Sequence, residues 1–228
     1  MLALPAFAQK LPFRAFTVED GLSANMVAAI SQEVNGTLWV GTGEGLSAFD
    51  GTTFQKMSVH DGLGANHITC IVRSKASKEV MWIATLGGGV SKYHDGKFST
   101  FIPKTSPAAA FVYDLVEDSK GDVWCITNDG LYRLTGSTFI REDRICSDPS
   151  SLLWSADSLL WIGSRGDLIV YSPYSHSRDS LLLGIGEITT LFQDRLGSVW
   201  VATADSMIVK MKIVKATSGS VMLPPALC

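Results

Sequence analysis

Apolar and polar residues alternate over short stretches along most of the chain, a pattern typical of β-strands rather than helices. Five stretches share a tryptophan in their second position and a Thr or Ser three residues after it. They are LWVGT at 38–42, MWIAT at 81–85, VWCIT at 123–127, LWIGS at 160–164 and VWVAT at 199–203. Successive tryptophans are 43, 42, 37 and 39 residues apart. This self-similar period near forty indicates a repeat architecture.

Each repeat divides into four short strands separated by polar turns, several of which contain glycine. Glycine is common in hairpin turns because it reaches positive φ at little cost. The predicted strands before the tryptophan strand are 27–33, 68–73, 112–117 and 188–193; those after it are 46–49, 90–93, 131–134, 168–171 and 207–210, and fourth strands begin at Phe54, Phe98 and Phe139. Four antiparallel strands in about forty residues are typical of a propeller blade. The sequence therefore predicts an all-β protein, a β-propeller of about five four-stranded blades.

The recurring tryptophan and hydroxyl are interpreted as architecture. Each Trp is expected to wedge between adjacent blades, where a ring of that size buries about 150–250 Å². The hydroxyl three residues later is expected to form a repeated side-chain hydrogen bond where the strand enters its turn. Trp154 lies outside the repeat position. It is expected in the core of the fourth blade, with a sugar-stacking surface as the alternative.

Two copies of a longer signature precede the tryptophan motif. Asp20-Gly21-Leu22 is followed by Asn25, and Asp61-Gly62-Leu63 by Asn66; each copy continues through the Trp strand to an aromatic residue, Phe54 or Phe98. This combination resembles the two-component regulator propeller repeat. The resemblance covers about residues 13–211 and is strongest in the first half.

The resemblance implies a function in signalling. Propellers of that family form the periplasmic sensing region of membrane-spanning histidine kinases and hybrid regulators, where they respond to carbohydrate breakdown products. It implies for this chain a non-enzymatic, exported sensor module, joined in a longer protein to an inner-membrane anchor. The implied partners are a neighbouring propeller or signalling domains and a second copy in a homodimer. Family propellers usually have seven blades, so five predict either a fragment or a ring that closes with five.

The ends of the chain carry separate expectations. Residues 1–10 resemble the remnant of a secretory signal peptide, with Ala6-Phe7-Ala8 before Gln9. Residues 11–211 are assigned to the propeller repeats, and 212–228 to a final strand or a poorly packed tail. Residues 12–17 match the fourth strand of the first repeat. Placing them on the last blade would close the ring and remove two sheet edges.

Composition and charge narrow the function classes. The 228 residues are 46% hydrophobic with 21 glycines, enough for a sizeable core and many turns. A net charge of −3 without a basic run argues against nucleic-acid binding. There is no apolar stretch of about 18 residues that would span a membrane. Cys70, Cys125, Cys146 and Cys228 show no C-x-x-C spacing, so buried free thiols are expected rather than disulfides or zinc.

Residues with catalytic chemistry are scattered. The four histidines have no H-x-x-x-H spacing, and Gly87-Gly88-Gly89 opens a strand rather than the helix that a phosphate loop requires. We therefore predict no catalytic residue, no metal and no cofactor. The alternative is a lyase or hydrolase similar to the streptogramin-lyase propellers, with His67 and either Glu44 or Glu187 as its base.

A ligand site is predicted from propeller geometry. Loops that enter each first strand and turns that join second to third strands share one face, and they vary while the scaffold repeats. Their amides, charges and aromatic ring suit a hydroxyl-rich ligand such as an oligosaccharide; the alternative is a protein-interaction scaffold with no small ligand. The predicted binding residues are Asn25, Glu44, His67, Phe111, Asn128, Asp129, Arg165, Glu187 and Asp205.

Overall fold

The strands of this protein form a series of antiparallel sheets, each hydrogen-bonded in sequence order. The computed structural model describes residues 13–142 and 149–211, and the backbone of 214–215 and 221–222. The first sheet contains β1 Val27–Gln32, β2 Leu38–Thr42, β3 Gly45–Phe49 and β4 Phe54–Met57; the second β5 Ile68–Arg73, β6 Met81–Thr85, β7 Gly89–His94 and β8 Lys97–Phe101; the third β9 Val112–Glu117, β10 Val123–Thr127, β11 Gly130–Thr135 and β12 Thr138–Arg141. The prediction of an all-β chain is confirmed.

The fourth and fifth repeats share one six-stranded sheet. It contains β13 Ser151–Trp154, β14 Leu160–Gly163, β15 Arg165–Ser172, β16 Ser177–Gln193, β17 Val199–Thr203 and β18 Ile208–Met211. The long strand β16 pairs with β15 through its first part and with β17 through its last part. It therefore serves as the last strand of the fourth repeat and the first of the fifth. A separate two-residue pair joins β19 Val214–Lys215 to β20 Val221–Met222.

The repeated hydroxyl after the tryptophan forms the predicted hydrogen bond. Thr42, Thr85 and Thr127 donate through Oγ1 to the carbonyls of Gly45, Gly89 and Gly130 at 2.9, 3.0 and 3.1 Å, and Ser164 Oγ donates to Asp167 O at 3.2 Å. In the fifth repeat, Thr203 Oγ1 instead accepts from Met207 N at 3.3 Å. Each bond closes the turn between the second and third strands, so these turns have a fixed shape on which variable residues can be held.

Four hydrophobic cores lie between successive repeats, and each contains the tryptophan of the preceding one: Trp39, Trp82, Trp124 and Trp161. These rings pack on first-strand residues of the next repeat, as expected of a wedge. Burial of one such ring contributes about 5 kcal/mol as an upper estimate. Trp154 is buried beside Trp124, which confirms its place in the core.

The Asp-Gly-Leu signature forms a capped turn. In both copies a short 3-10 helix, Val18–Asp20 or Val59–Asp61, has a capping box and ends at a glycine with φ near +100°. The following leucine, Leu22 or Leu63, is buried. The asparagine closes the turn: Asn25 Oδ1 accepts from Val18 N at 3.0 Å, and Asn66 Oδ1 from Val59 N at 2.9 Å. In both copies the signature thus forms the turn that leads the chain into the first strand of a sheet.

The placement of the N-terminal segment on the last blade is wrong. Residues 13–17 form no strand, and the Phe16 ring lies 5.0 Å from that of Phe49 and 5.5 Å from that of Phe54, both in the first sheet. The reason is local, because Thr17 caps the first 3-10 helix and keeps this segment beside the strand it introduces. The described strands form no closed sheet, so the number of blades in a complete ring stays a prediction.

The thiols of Cys70 and Cys125 are free, as predicted, and burial raises the pKa of each. Cys146, Cys228 and the proposed signal remnant at 1–10 lie outside the described residues, as does most of 212–228.

Candidate ligand-binding face

Neighbouring repeats contact each other at the side of the molecule where the tryptophan strands end. We call this side the upper face. It comprises the segments that lead into each first strand and the turns after each tryptophan strand. Leu86 forms a β-bridge with Phe111 across the second and third sheets, and Arg165 is paired with Glu187 at the equivalent boundary of the fourth and fifth repeats. Residues that are 25 and 22 positions apart in sequence therefore lie side by side at these two boundaries.

The best-defined cluster on this face is an aromatic–amide patch made of Phe111, Tyr113 and Asn128. Asn128 N donates to Phe111 O at 3.3 Å, and the Tyr113 hydroxyl donates to Asn128 Oδ1 at 2.7 Å. The two aromatic residues are 41% and 40% exposed. Gly87 borders the patch, because a Cβ there would lie 3.9 Å from Phe111 Cε1. The patch combines exposed ring surface with an amide whose orientation is fixed.

A second cluster carries charge. Arg165 Nε lies 3.9 Å from Glu187 Oε2, and both side chains are largely exposed. Asp205 lies against Gly186: a Cβ at that glycine would be 2.2 Å from Asp205 Oδ2, and its φ of +83° also favours glycine. This arrangement offers one guanidinium and two carboxylates to solvent.

Three further predicted residues, His67, Glu44 and Asn25, lie near the first sheet. His67 is exposed and lies beside the turn that carries Glu44, since a Cβ at Gly43 would be 3.9 Å from His67 Cε1. Asn25 is exposed, but its Oδ1 already serves the capped turn. Their role in ligand binding stays a prediction.

Asp129 follows Asn128 directly but belongs to a different group. Its Oδ2 accepts from the Tyr132 hydroxyl at 2.6 Å, and its Oδ1 lies 3.5 Å from Arg141 Nη2. The Tyr132 hydrogen bond is the main cause of a lowered pKa for the Asp129 carboxyl, to which Arg141 also contributes. Asp129 therefore bonds to the two outer strands of its sheet, apart from the aromatic–amide patch.

Sequence reasoning did not identify Tyr113. Its signal is an aromatic residue at the second position of a first strand, which only becomes informative once Asn128 is known to lie opposite.

Asp114 was missed as well. Its Oδ2 accepts from Leu152 N at 2.8 Å and so joins the third repeat to the fourth, and burial raises the pKa of its carboxyl. We therefore interpret Asp114 as a structural residue that holds the two repeats together.

The described residues contain no group of three His, Cys, Asp or Glu side chains that could hold a metal ion. Glu187 pairs with Arg165 at the boundary of the fourth and fifth repeats, whereas His67 lies at that of the first and second. Among the contacts of the described residues, none joins these two candidate catalytic residues.

The fold is shared with sensor domains. The extracellular domain of the putative hybrid two-component system BT3049 from B. thetaiotaomicron superimposes with a TM-score of 0.75 at 22% identity, over 92% of this chain and 31% of that one. Histidine kinase P4 of Formosa agariphila is 46% identical over 54 residues, 24% of this chain. The resemblance to two-component sensor propellers is confirmed. No known protein-family profile matches the chain.

The sensor-type propeller fold also occurs in an enzyme. Virginiamycin B lyase from Staphylococcus aureus superimposes with a TM-score of 0.65 at 14% identity, over 85% of this chain and 72% of the lyase. This similarity concerns the fold alone.

The chain spans 4% of the length of the kinase and about a third of the BT3049 domain. Within the part that the structure describes, no helix has the length and apolar character needed to cross a bilayer.

Proposed function

We propose that this chain is a non-enzymatic recognition module of an exported two-component sensor, and that it binds an oligosaccharide on its upper face. The aromatic–amide patch carries the proposal. Sugar rings present apolar C–H faces that pack on aromatic rings, and hydroxyl groups that require paired donors and acceptors.

The geometry of the patch supports this ligand class. The bond from Tyr113 occupies Asn128 Oδ1, so the Nδ2 group is the part of this amide that would donate to a ligand. Phe111 supplies ring surface next to Gly87, where the absence of a side chain leaves room for a ligand. The exposed Arg165, Glu187 and Asp205 add charged hydrogen-bonding groups further along the same face.

Binding is tested by thermal unfolding of the purified chain against a panel of plant and host oligosaccharides. At a hundredfold excess over its dissociation constant, a ligand specific for the folded state stabilises it by about 2.7 kcal/mol. We expect a selective shift that Phe111→Ala and Asn128→Ala each reduce. Tyr113→Phe should weaken binding less, because it keeps the ring and removes only the bond that orients Asn128.

Asn35→Ala is the matched control for Asn128→Ala. Asn35 is also exposed, but it lies in the hairpin between β1 and β2, at the end of these strands away from the upper face. Its substitution should leave the shift unchanged. A cooperative unfolding transition without any selective shift, or a shift that survives both patch substitutions, would contradict the proposal and favour a scaffold without a small ligand.

The enzyme alternative rests on the fold shared with virginiamycin B lyase and on His67 beside the turn of Glu44. Stoichiometric metal in the purified protein, lost on His67→Ala, would support it over a sensor.

A further inference from the structure

The third repeat has an open cavity on its outer side. The cavity has a volume of about 430 Å³ and lies between the segment that leads into this repeat and its outer strand β12. The residues that line it are Ile102, Lys104, Thr105, Ser137, Thr138 and Phe139. Small-molecule sites usually have volumes of about 300–1,000 Å³ and combine apolar walls with a few polar groups. This cavity has both the size and the mixed lining of such a site.

The cavity lies where a capped turn packs in the first two repeats. In those repeats the glycine of the Asp-Gly-Leu signature lies against an aromatic residue of the outer strand. A Cβ at Gly21 would be 3.2 Å from Phe54 Cβ, and a Cβ at Gly62 would be 3.4 Å from Phe98 Cβ. Phe139 is the corresponding aromatic residue of the third repeat, and it lines the cavity instead. A local departure from the repeat therefore leaves space on a scaffold that is otherwise conserved within the chain.

The leading segment of the third repeat lacks the residues that form the capped turn. Seven residues before the first strand, where the other two repeats have the capping carboxylates Asp20 and Asp61, this repeat has Thr105. The Thr105 hydroxyl is hydrogen-bonded to the Tyr132 hydroxyl in the third sheet. The 3-10 helix of this segment comes later, at Pro107–Ala110. The substitution thus explains why the turn is absent from the outer strand.

Lys104 gives the cavity a positive charge. Its side chain is exposed, and it forms no ion pair with the other residues that the structure describes. The nearby carboxylate of Asp129 is already bonded to Tyr132 at 2.6 Å and lies 3.5 Å from Arg141 Nη2. Lys104 is therefore available to an anionic group that enters the cavity.

We propose that this cavity is a second ligand site, separate from the aromatic–amide patch, and that it binds a small hydroxylated carboxylic acid. The carboxylate of the ligand pairs with Lys104, and the hydroxyls of Ser137 and Thr138 bond to its hydroxyl groups. Ile102, which is 47% exposed, and Phe139 pack on its apolar face. Sugar acids and hydroxylated aromatic acids share this chemistry.

The test measures binding to the purified chain by isothermal titration calorimetry with two matched pairs of probes. Digalacturonate is compared with the neutral galactobiose, and 3,4-dihydroxybenzoate with 3,4-dihydroxybenzyl alcohol, so that the two possible sources of the acid are distinguished. One of the acids should bind with one molecule per chain and about tenfold more tightly than its neutral counterpart, because hydrogen bonds to charged groups are the stronger ones.

Two substitutions locate the binding. Lys104→Gln removes the charge and should weaken binding of the acid about tenfold, with little effect on the neutral counterpart. Ser137→Trp places a ring in the cavity and should abolish binding of both; Ser137 is exposed, so the fold is retained.

Lys97→Gln is the matched control for Lys104→Gln. Lys97 is also an exposed lysine, and it directly precedes Phe98, the aromatic residue that a turn covers in the second repeat. This variant should bind the acid as wild type does. The proposal is overturned if neither acid binds, if acid and neutral counterpart bind equally, or if binding survives Ser137→Trp. Acid binding that is lost in Phe111→Ala but kept in Lys104→Gln would place the acid on the upper face, and would overturn it as well.

Discussion

The five repeat tryptophans share a position but not a chemical environment. Trp82, Trp124 and Trp200 donate their indole N–H to the carboxylates of Glu117, Asp118 and Asp194, and a basic side chain from the facing strand, Lys92, Arg133 or Lys210, lies over each ring. Trp39 and Trp161 face Ala48 and Val170 and have buried indole nitrogens without a partner. A basic side chain over the ring and a carboxylate at the indole nitrogen therefore occur together. Three of the repeat tryptophans have both groups, and two have neither.

Glu117 is the most connected of these carboxylates. It accepts hydrogen bonds from Ser74 Oγ at 2.7 Å, from Trp82 Nε1 at 3.2 Å and from backbone amides of the preceding sheet's hairpin. Glu117→Ala should lower the free energy of unfolding by about 3 kcal/mol, because it leaves several buried donors without a partner. Urea unfolding measures this. Glu79→Ala, at a carboxylate that is 86% exposed, should change it by less than about 0.5 kcal/mol; equal effects would contradict the network.

Single residues were predictable where their partners are local. The hydroxyl after each tryptophan bonds within a few residues, so its role follows from its recurrence. Glu117 could not be identified, because its partners precede it by 35 to 43 residues and lie in another sheet. The same holds for Tyr113, whose partner is 15 residues away across a hairpin.

At the scale of the strand, glycine controls how closely two sheets approach. Gly41 follows Trp39 by two positions, and a Cβ there would lie 2.5 Å from Ile68 Cγ2 and 3.1 Å from Ile71 Cδ1. Gly163 faces Ile188 in the same way, at 2.5 Å. Both glycines are needed for packing between repeats. At each one, an isoleucine from the first strand of the following repeat packs against the tryptophan strand where the glycine has no side chain.

Gly41→Ala should therefore lower the free energy of unfolding by about 1–3 kcal/mol through overpacking. In an Ile68→Ala background, which lacks the Cγ2 atom that the new Cβ would meet, Gly41→Ala should lower the free energy of unfolding by less than it does in wild type. Gly43→Ala is the matched control, because its Cβ would meet only His67, at 3.9 Å; it should be neutral or stabilising by less than about 1 kcal/mol. A destabilisation of Gly43→Ala as large as that of Gly41→Ala would refute this account.

The order of strands followed from the sequence, but the connection between the fourth and fifth repeats did not. Periodicity predicts a strand at 188–193, and the structure extends it back to Ser177. The added residues pair with β15, from Ser177 opposite Ser172 to Glu187 opposite Arg165. The last of these pairs joins two repeats, which no local pattern records. The lone N-terminal strand failed for a related reason, since its similarity to residues 54–59 does not show which sheet it joins.

For the whole molecule, stability should be graded from the centre to the ends. Each repeat packs on its neighbours, so interior repeats have two boundaries and terminal ones have one. The strands β1 and β9 form a matched pair, because each is the first strand of its repeat and is hydrogen-bonded to one neighbouring strand. They differ in that β9 packs in a core with the second repeat.

Hydrogen exchange at concentrations where the chain is a monomer should distinguish them. Amides of β1 should exchange faster than those of β9, since opening the first repeat disrupts only one boundary. Mass spectrometry of peptides covering 27–32 and 112–117 provides the measurement. Equal protection would mean that the first strand is covered in solution by a contact within the same monomer.

The strand shared by the fourth and fifth repeats has a mechanical consequence. Changes of angle between rigid units are usually absorbed by loops or by the ends of elements. Ser177–Gln193 contains no loop, but its pairing with β15 shifts register between Leu182 and Glu187, where Gly186 has a φ of +83°. A change of angle between the two repeats would therefore be absorbed in this short stretch of the strand, next to the Arg165–Glu187 pair.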